Sequence, residues 1–466
     1  MAFRLKPVML SGRELPPLIE GGKGIAVSNG VSSGAWAAAG GVGTFSGVNA
    51  DSYSDDGSLF DQLYFGKTRG QRHDELIAHA IRGAISQARI AYEMARGEGR
   101  IHMYVLWEMG GAVDVLRGAL EGARGLIHGV TCGAGMPYKV AEIAAEFRVH
   151  YYPIVSSARA FRALWKRSYH KIPEWLGGVV YEDPWRAGGH NGLSNSENPL
   201  VPEDPRPRVV QLRAVMNEAG LQDTPIVMAG GVWRLDEWSD WIDDPEIGPI
   251  AFQFGTRPLL TRESPISDAW KQRLLELEEG DVFLNKFSPT GFYSSAVRND
   301  FLNELRERSE RQIPYTSEPV GEHQTALAVG ARSRKVYVTA EDRVRALAWI
   351  EAGFNEALRT PDSTLIFVDP ERRNMILKDQ VDCMGCLSAC GFSNWAENES
   401  HSTGRKADPR SYCIQKTLQS IAHGNDVDSQ LMFAGTNAFR FKRDPWYANG
   451  FVPTVGELMD RLKTGA

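Results

Sequence analysis

Pro225-Ile226-Val227-Met228-Ala229-Gly230-Gly231-Val232 is a short apolar run that stops on two glycines. A continuous apolar run followed at once by a glycine turn reads as a buried strand of a parallel sheet whose end is closely approached by another group. The next unit, Ile250-Ala251-Phe252-Gln253-Phe254-Gly255-Thr256-Arg257, repeats the pattern. Toward the N-terminus, further strands are predicted at 18–27, 41–47, 102–107, 126–131, 149–155 and 178–181. Helical periodicity falls between them at 33–39, 74–96, 113–123, 138–146, 158–166 and 208–218. Eight strands with intervening helices predict an α/β fold, a TIM (β/α)8 barrel over residues 1–264. A doubly wound sheet gives a similar alternation, so the count alone leaves it open.

Beyond residue 264 the pattern changes. Residues 265–377 read as a mainly helical extension or lid, and 378–466 as a C-terminal region carrying a cysteine cluster. The chain has 466 residues and a formal net charge of -6, which gives no reason to expect general polyanion binding. Met1–Pro7 has no apolar signal-peptide core and no stretch has the length of a membrane helix, so a cytoplasmic protein is expected. Five cysteines do not make a secreted disulfide scaffold; a reducing compartment leaves their thiols free for a metal site.

Glycine turns recur in order. Gly21-Gly22-Lys23-Gly24 follows or interrupts the first strand, and Gly188-Gly189-His190-Asn191-Gly192 follows the sixth. Ala229-Gly230-Gly231 ends the seventh and Gly255-Thr256 the eighth, where barrels commonly bind phosphate. Backbone N–H groups at such turns can cradle phosphate; tight turns between barrel elements are the plainer alternative. His190 is the strongest catalytic candidate, since its flanking glycines leave space and imidazole exchanges a proton near neutrality. Glu20, Ser28 and Asn29 are candidate polar contacts to a cofactor, or else ordinary caps. Trp107 and Glu108, at the third strand end, have the same standing, and Cys132 reads as core filler.

The segment Ile19-Glu20-Gly21-Gly22-Lys23-Gly24-Ile25-Ala26-Val27-Ser28-Asn29-Gly30 resembles the N-terminal signature of the nitronate monooxygenase family. Ala39-Gly40-Gly41-Val42-Gly43-Thr44 and Ala187-Gly188-Gly189-His190-Asn191-Gly192 resemble further motifs of that family. Ala229-Gly230-Gly231-Val232 and Gln253-Phe254-Gly255-Thr256-Arg257 resemble its two phosphate-side turns. The resemblance spans about residues 15–264. It implies an FMN-binding TIM barrel in which Gly21, Gly22, Gly24, Gly189, Ala229, Gly230, Gly231, Gln253, Gly255 and Thr256 hold the cofactor and His190 moves a proton beside it. Family members include oxygenases acting on nitronates and flavin reductases of enoyl thioesters. Lys23 stands where the family commonly has Met. It becomes a second catalytic candidate, able to face the N1–C2 side of the flavin ring or to point to solvent.

Cys383-Met384-Gly385-Cys386-Leu387-Ser388-Ala389-Cys390, with Cys413 further on, has C-x2-C-x3-C spacing and a distant fourth thiol. Such spacing predicts a [4Fe–4S] cluster. A Zn(Cys)4 site or unligated cysteines are the alternatives, with His401 a substitute ligand. FMN and a [4Fe–4S] cluster together predict an oxidoreductase that reduces an activated C=C bond, with NAD(P)H or ferredoxin as donor. Nitronate oxidation with O2 is the rival, and an RNA-binding or RNA-modifying flavoprotein the third reading. The last would use basic residues such as Lys166, Arg167, Arg405, Arg410, Lys416, Arg440, Lys442 and Arg443, although nucleic acid is not expected from the overall charge. A small-molecule substrate is expected, and a homo-oligomer is left open.

Overall fold

The computed structural model describes residues 5–54, 56–330, 332–399 and 401–466. Of the stretch Met1–Pro7, residues 1–4 lie outside the described residues. Eight parallel strands close into a barrel: β1 (Leu18–Glu20), β2 (Val42–Ser46), β3 (Arg100–Leu106), β4 (Gly129–Gly133), β5 (His150–Val155), β6 (Val179–Glu182), β7 (Ile226–Ala229) and β8 (Ile250–Phe254). Parallel registers run around the ring, and β8 returns to β1 through Phe252 opposite Leu18. Val42–Ser46 and Ile226–Ala229 are buried along their whole length, as strands covered on both faces must be.

The first strand is shorter than the apolar run predicts. Gly21 N donates to Phe254 O at 2.8 Å, after which the chain leaves the ladder and turns over the barrel mouth, with Ser28 N donating to Lys23 O at 2.9 Å. Ile25 and Val27 therefore pack into two clusters above the barrel instead of continuing the strand.

Six helices, α1 (Gly30–Ala38), α2 (Arg69–Ala95), α3 (Ala112–Gly122), α4 (Val140–Glu146), α5 (Ala158–Arg167) and α6 (Pro205–Glu218), lie outside the strands. Thr68 and Gln71 form a capping box that starts α2. Ala80, Ala84, Ala88 and Ala91 then keep one face of α2 thin. On α1 a Cβ at Gly34 would lie 2.8 Å from Ala91 O, so this contact requires small residues on both helices.

After β8 the chain makes a long excursion and returns only at helix Val455–Lys463, whose Leu458, Met459 and Leu462 join the barrel core. Lys463 Nζ donates to Ala39 O at 3.0 Å, tying this last helix beside α1. Within the excursion, Val282–Asn285 and Ser294–Val297 form a sheet with Gly189–His190 across the mouth. Further out, Gln312–Pro314, Thr364–Val368 and Glu356–Arg359 form a second sheet. With a hairpin (Thr325–Val329, Arg334–Val338) and helix Ala340–Glu351 it buries a core of its own, including Ile313, Val336 and Phe367. No helix among the described residues is long and apolar enough to cross a membrane.

Candidate active site

The C-terminal ends of the barrel strands surround one cavity. Gly21, Gly22, Lys23 and Gly24 line it after β1, and Gly189 and His190 after β6. Ala229, Gly230 and Gly231 line it after β7, and Gln253, Gly255 and Thr256 after β8. The four glycine turns thus converge in space as their order suggested.

Two of these turns explain their glycines. Gly230 and Gly231 adopt φ of +85° and +80°, a region that side chains disfavour. A Cβ on Gly22 would collide with Tyr104, which fills the space beneath. At Gly255, by contrast, a Cβ would meet nothing within 4 Å, so open space lies directly above the backbone. Left-handed glycines beside open space at the ends of β7 and β8 are the surroundings a phosphate requires, and the residues present fit a phosphorylated flavin.

His190 lines the cavity, and its Nε2 lies 2.6 Å from Ser288 Oγ. Burial pushes its pKa down to about 4, so the imidazole is neutral at physiological pH. Phe433 packs edge-on against it, with ring centroids 5.4 Å apart.

Lys23 does not extend freely across the cavity. Its Nζ donates to Gly21 O at 2.8 Å and to Glu20 Oε1 at 3.3 Å. Burial lowers its pKa, against the opposing pull of Glu20.

Glu20, Ser28 and Asn29 support the first glycine turn from behind. Glu20 is buried and accepts from Ser32 Oγ as well as from Lys23. Ser28 Oγ accepts from Lys23 N at 3.0 Å, and Asn29 Oδ1 caps α1 by accepting from Ser32 N at 2.9 Å. Cys132 is fully buried in the barrel core. Glu108 lies beside Ser388, whose hydroxyl donates to its carboxylate at 3.3 Å.

Several residues in the site carried no sequence motif. Glu182 ends β6 and lines the cavity; burial, assisted by the Asp183 charge, raises its carboxyl pKa to about 8. A carboxylic acid closing an apolar strand at this end of a barrel is the signal that would have found it. Arg186 also lines the cavity, beside the Gly231 turn. The far wall comes from the C-terminal region and includes Ile414, Leu418, Leu431, Met432 and Phe433. It is pinned to β8 by Gly435 N donating to Thr256 Oγ1 at 2.9 Å.

The cysteine expectation is corrected. Among the described residues no group of three or more His, Cys, Asp or Glu side chains is disposed to hold a metal ion. Cys383, Cys386, Cys390 and Cys413 are free, and neither an iron–sulfur cluster nor another metal centre is supported. They pack instead with Leu387, Phe392, Trp395, Tyr412 and Ile414. Burial raises the Cys386 and Cys390 thiol pKa values and pushes Cys413 up to about 12, which keeps these groups neutral. Cys383 Sγ accepts from Ser393 Oγ at 3.0 Å, while Cys386 faces the cavity. The short spacings serve a loop stitched to the barrel: Gly110 N donates to Cys386 O and Ser388 N to Glu108 O. His401 lies flat on Trp395, ring centroids 4.7 Å apart. Of the basic residues, Arg410, Lys416, Arg440, Lys442 and Arg443 are held in ion pairs with acidic neighbours.

A closed parallel barrel with phosphate-suited glycine turns and a neutral histidine at one cavity defines a flavin-dependent oxidoreductase acting on a small-molecule substrate. The chain belongs to the nitronate monooxygenase family, whose model matches residues 125–446, more than half of its length. No curated protein matches it. Among solved structures, FabK from Thermotoga maritima aligns at a TM-score of 0.52 with 14% identity, covering 96% of this chain and 91% of that one. The enoyl reductase domain of MlnA, from the macrolactin cluster of Bacillus amyloliquefaciens, aligns at a TM-score of 0.54 with 10% identity over 96% of this chain and 93% of that one. At these identities the likeness is one of fold.

Proposed function

We propose that the protein is an FMN-dependent enzyme that oxidises alkyl nitronates, or the nitroalkanes from which they form, with dioxygen. The observation that carries this reading is His190: a neutral imidazole facing a cavity on which four glycine turns converge. FMN, when bound, supplies two-electron oxidation of the substrate and delivery of those electrons to dioxygen.

The chain's own residues divide the remaining work. Gly230, Gly231, Gly255 and Thr256 would hold the phosphate, with the Arg186 side chain beside the Gly231 turn adding positive charge. Gly21, Gly22 and Gly24 would border the ring. His190 accepts the proton on the carbon next to a nitro group, which an uncharged imidazole can do without first losing a proton of its own. Glu182, with its pKa raised to about 8, is largely protonated at neutral pH and offers a hydrogen-bond donor to an anionic nitronate oxygen. Leu418, Met432 and Phe433 present apolar surface to an alkyl group and exclude water.

Rapid anaerobic mixing of the flavin-loaded protein with an alkyl nitronate tests the reading. Loss of the oxidised flavin absorbance, restored by oxygen with uptake of dioxygen, is expected. Bleaching by a reduced nicotinamide but not by the nitronate would replace it with a second reading, reduction of an activated C=C bond. That reading is supported by alignment across nearly the whole chain with the enoyl reductase domain of MlnA.

A further inference from the structure

His190 does not stand alone at the cavity wall. It lies in the two-residue strand Gly189–His190, and Ser294 sits directly opposite it in the antiparallel strand Ser294–Val297. The turn leading into that strand carries Ser288 and Thr290. Ser288 Oγ is 2.6 Å from His190 Nε2, and Thr290 Oγ1 is 2.8 Å from Ser288 Oγ. Thr290 N also donates to Ser288 Oγ at 3.3 Å, and the buried Tyr412 side chain is a further hydrogen-bond partner of Ser288. Ser288 is buried, Thr290 half-buried, and the next residues, Gly291 and Phe292, are exposed. Three polar side-chain atoms therefore run in contact from the cavity toward the surface, through a turn that belongs to no barrel strand.

We infer that Ser288 and Thr290 form a hydroxyl relay that orients the His190 imidazole and carries its proton to solvent. The inference rests on the reading of His190 as the proton acceptor. When Nδ1, the nitrogen not held by Ser288, takes a proton from the substrate carbon, the Nε2 proton passes to Ser288 Oγ. The Ser288 hydroxyl proton passes to Thr290 Oγ1, and that of Thr290 to water. Each N–H or O–H bond broken is matched by one formed, no electrons are exchanged, and the net change is one proton moved from substrate to solvent. Burial gives the relay its purpose: the same desolvation that keeps His190 neutral makes a lasting imidazolium costly, so an arriving proton needs an exit. Ser288 and Thr290 act through His190 and are positioning residues.

The test uses the full chain loaded with FMN and an alkyl nitroalkane as probe, comparing Ser288→Ala, Ser288→Thr, Thr290→Val and His190→Gln. Turnover is expected to fall by about tenfold or more in Ser288→Ala and Thr290→Val. The solvent deuterium isotope effect on kcat should rise, KM should change little, and Ser288→Thr should restore most of the rate. In 15N-histidine NMR spectra, Ser288→Ala should shift the His190 Nε2 resonance whereas Thr290→Val should not, a readout independent of turnover. Unchanged kcat and isotope effect in Thr290→Val would overturn the relay even if Ser288→Ala is damaged. Full turnover in His190→Gln would instead overturn the reading of His190 as base, and the NMR arm would still report whether Ser288 holds the ring.

Discussion

The two ends of the barrel hold histidines under the same physical pressure and put them to opposite uses. At the C-terminal end His190 is half-buried, desolvation lowers its pKa to about 4, and it faces a cavity. At the N-terminal end His102, on β3, His128, just before β4, and His150, at the start of β5, lie beside one another and Arg100. Burial lowers all three, His128 also to about 4. None of the three lines the cavity at the opposite end. An amino-terminal hairpin, Val8–Leu10 paired with Arg13–Leu15, closes this end: Ser11 Oγ lies 2.8 Å from His102 Nε2 and 2.9 Å from the Tyr152 hydroxyl, and Arg100 Nε donates to Ser11 O at 2.9 Å. Desolvation alone therefore does not mark a catalytic histidine. What separates the two ends is open space and a hydroxyl path to water.

The sharpest way to break this contrast is to exchange the histidines for glutamine one at a time. His190→Gln should lower turnover about 10²- to 10⁴-fold, the range a lost general base commands, with little change in melting temperature. His102→Gln should do the reverse, lowering the melting temperature while leaving FMN affinity and kcat nearly unchanged. Equal loss of turnover in both variants would end the distinction.

Acid provides the next largest effect. An unfolded chain binds protons on ordinary histidines near pH 6.5, protons that the folded N-terminal end refuses. The stability contributed by these neutral groups is thus intact above about pH 6.5 and is lost as pH falls from there toward 4. The slope for fully buried His102 alone approaches about 1.4 kcal/mol per pH unit. Urea midpoints between pH 7.5 and 4.5 measure it. Each of His102→Gln and His190→Gln removes one such group, so the decline should become shallower in both, while His128 and His150 keep part of it; a flat wild-type profile would mean that these imidazoles titrate normally.

Smaller again is the cost of filling the first glycine turn. In Gly22→Ala the new methyl group meets the Tyr104 side chain, and overpacking of this kind costs about 1–3 kcal/mol. The flavin bound per chain should fall, while acid sensitivity from the other end of the barrel remains as it was. Normal flavin content, measured by absorbance after gel filtration, would show that Tyr104 can yield.

These differences also explain what could be read from the residues alone. The eight strands were legible because runs such as residues 179–181 and Ile226–Ala229 are apolar and covered on both faces, and the Gly230–Gly231 turn because positive φ admits few other residues. The overrun of β1 to Val27 arose because Ile25 and Val27 are apolar for a different reason, packing against the excursion above the mouth. The cysteine spacing misled for a related reason. Cys383, Cys386 and Cys390 sit at the intervals of a ligand set and lie near one another, yet they form no metal-holding group and share an apolar cluster with Leu387, Phe392 and Trp395. Sequence spacing cannot distinguish thiols that point at one ion from thiols buried as small apolar groups. Ser288 and Arg186 were missed because each depends on a contact made across the fold and not on any local pattern, whereas Glu182 had a local signal, an acid closing an apolar strand.

The smallest effect concerns how the excursion is fastened over the flavin-binding end. Gly435 N donates to Thr256 Oγ1, and a Cβ at Gly435 would lie 2.9 Å from Arg186 O, so the wall segment rests directly on the turns after β6 and β8. Thr256→Val keeps the side-chain shape and removes the acceptor, leaving one backbone N–H without its partner at a cost of about 1 kcal/mol. In flavin-free protein this should appear as faster amide exchange at Gly435 and its neighbours Ala434 and Thr436. Exchange at the N-terminal hairpin, at the other end of the barrel, should not change. Faster exchange at both ends would mean that the barrel yields as one cooperative unit, and the separation of a working end from a merely stable one would then be a matter of chemistry alone.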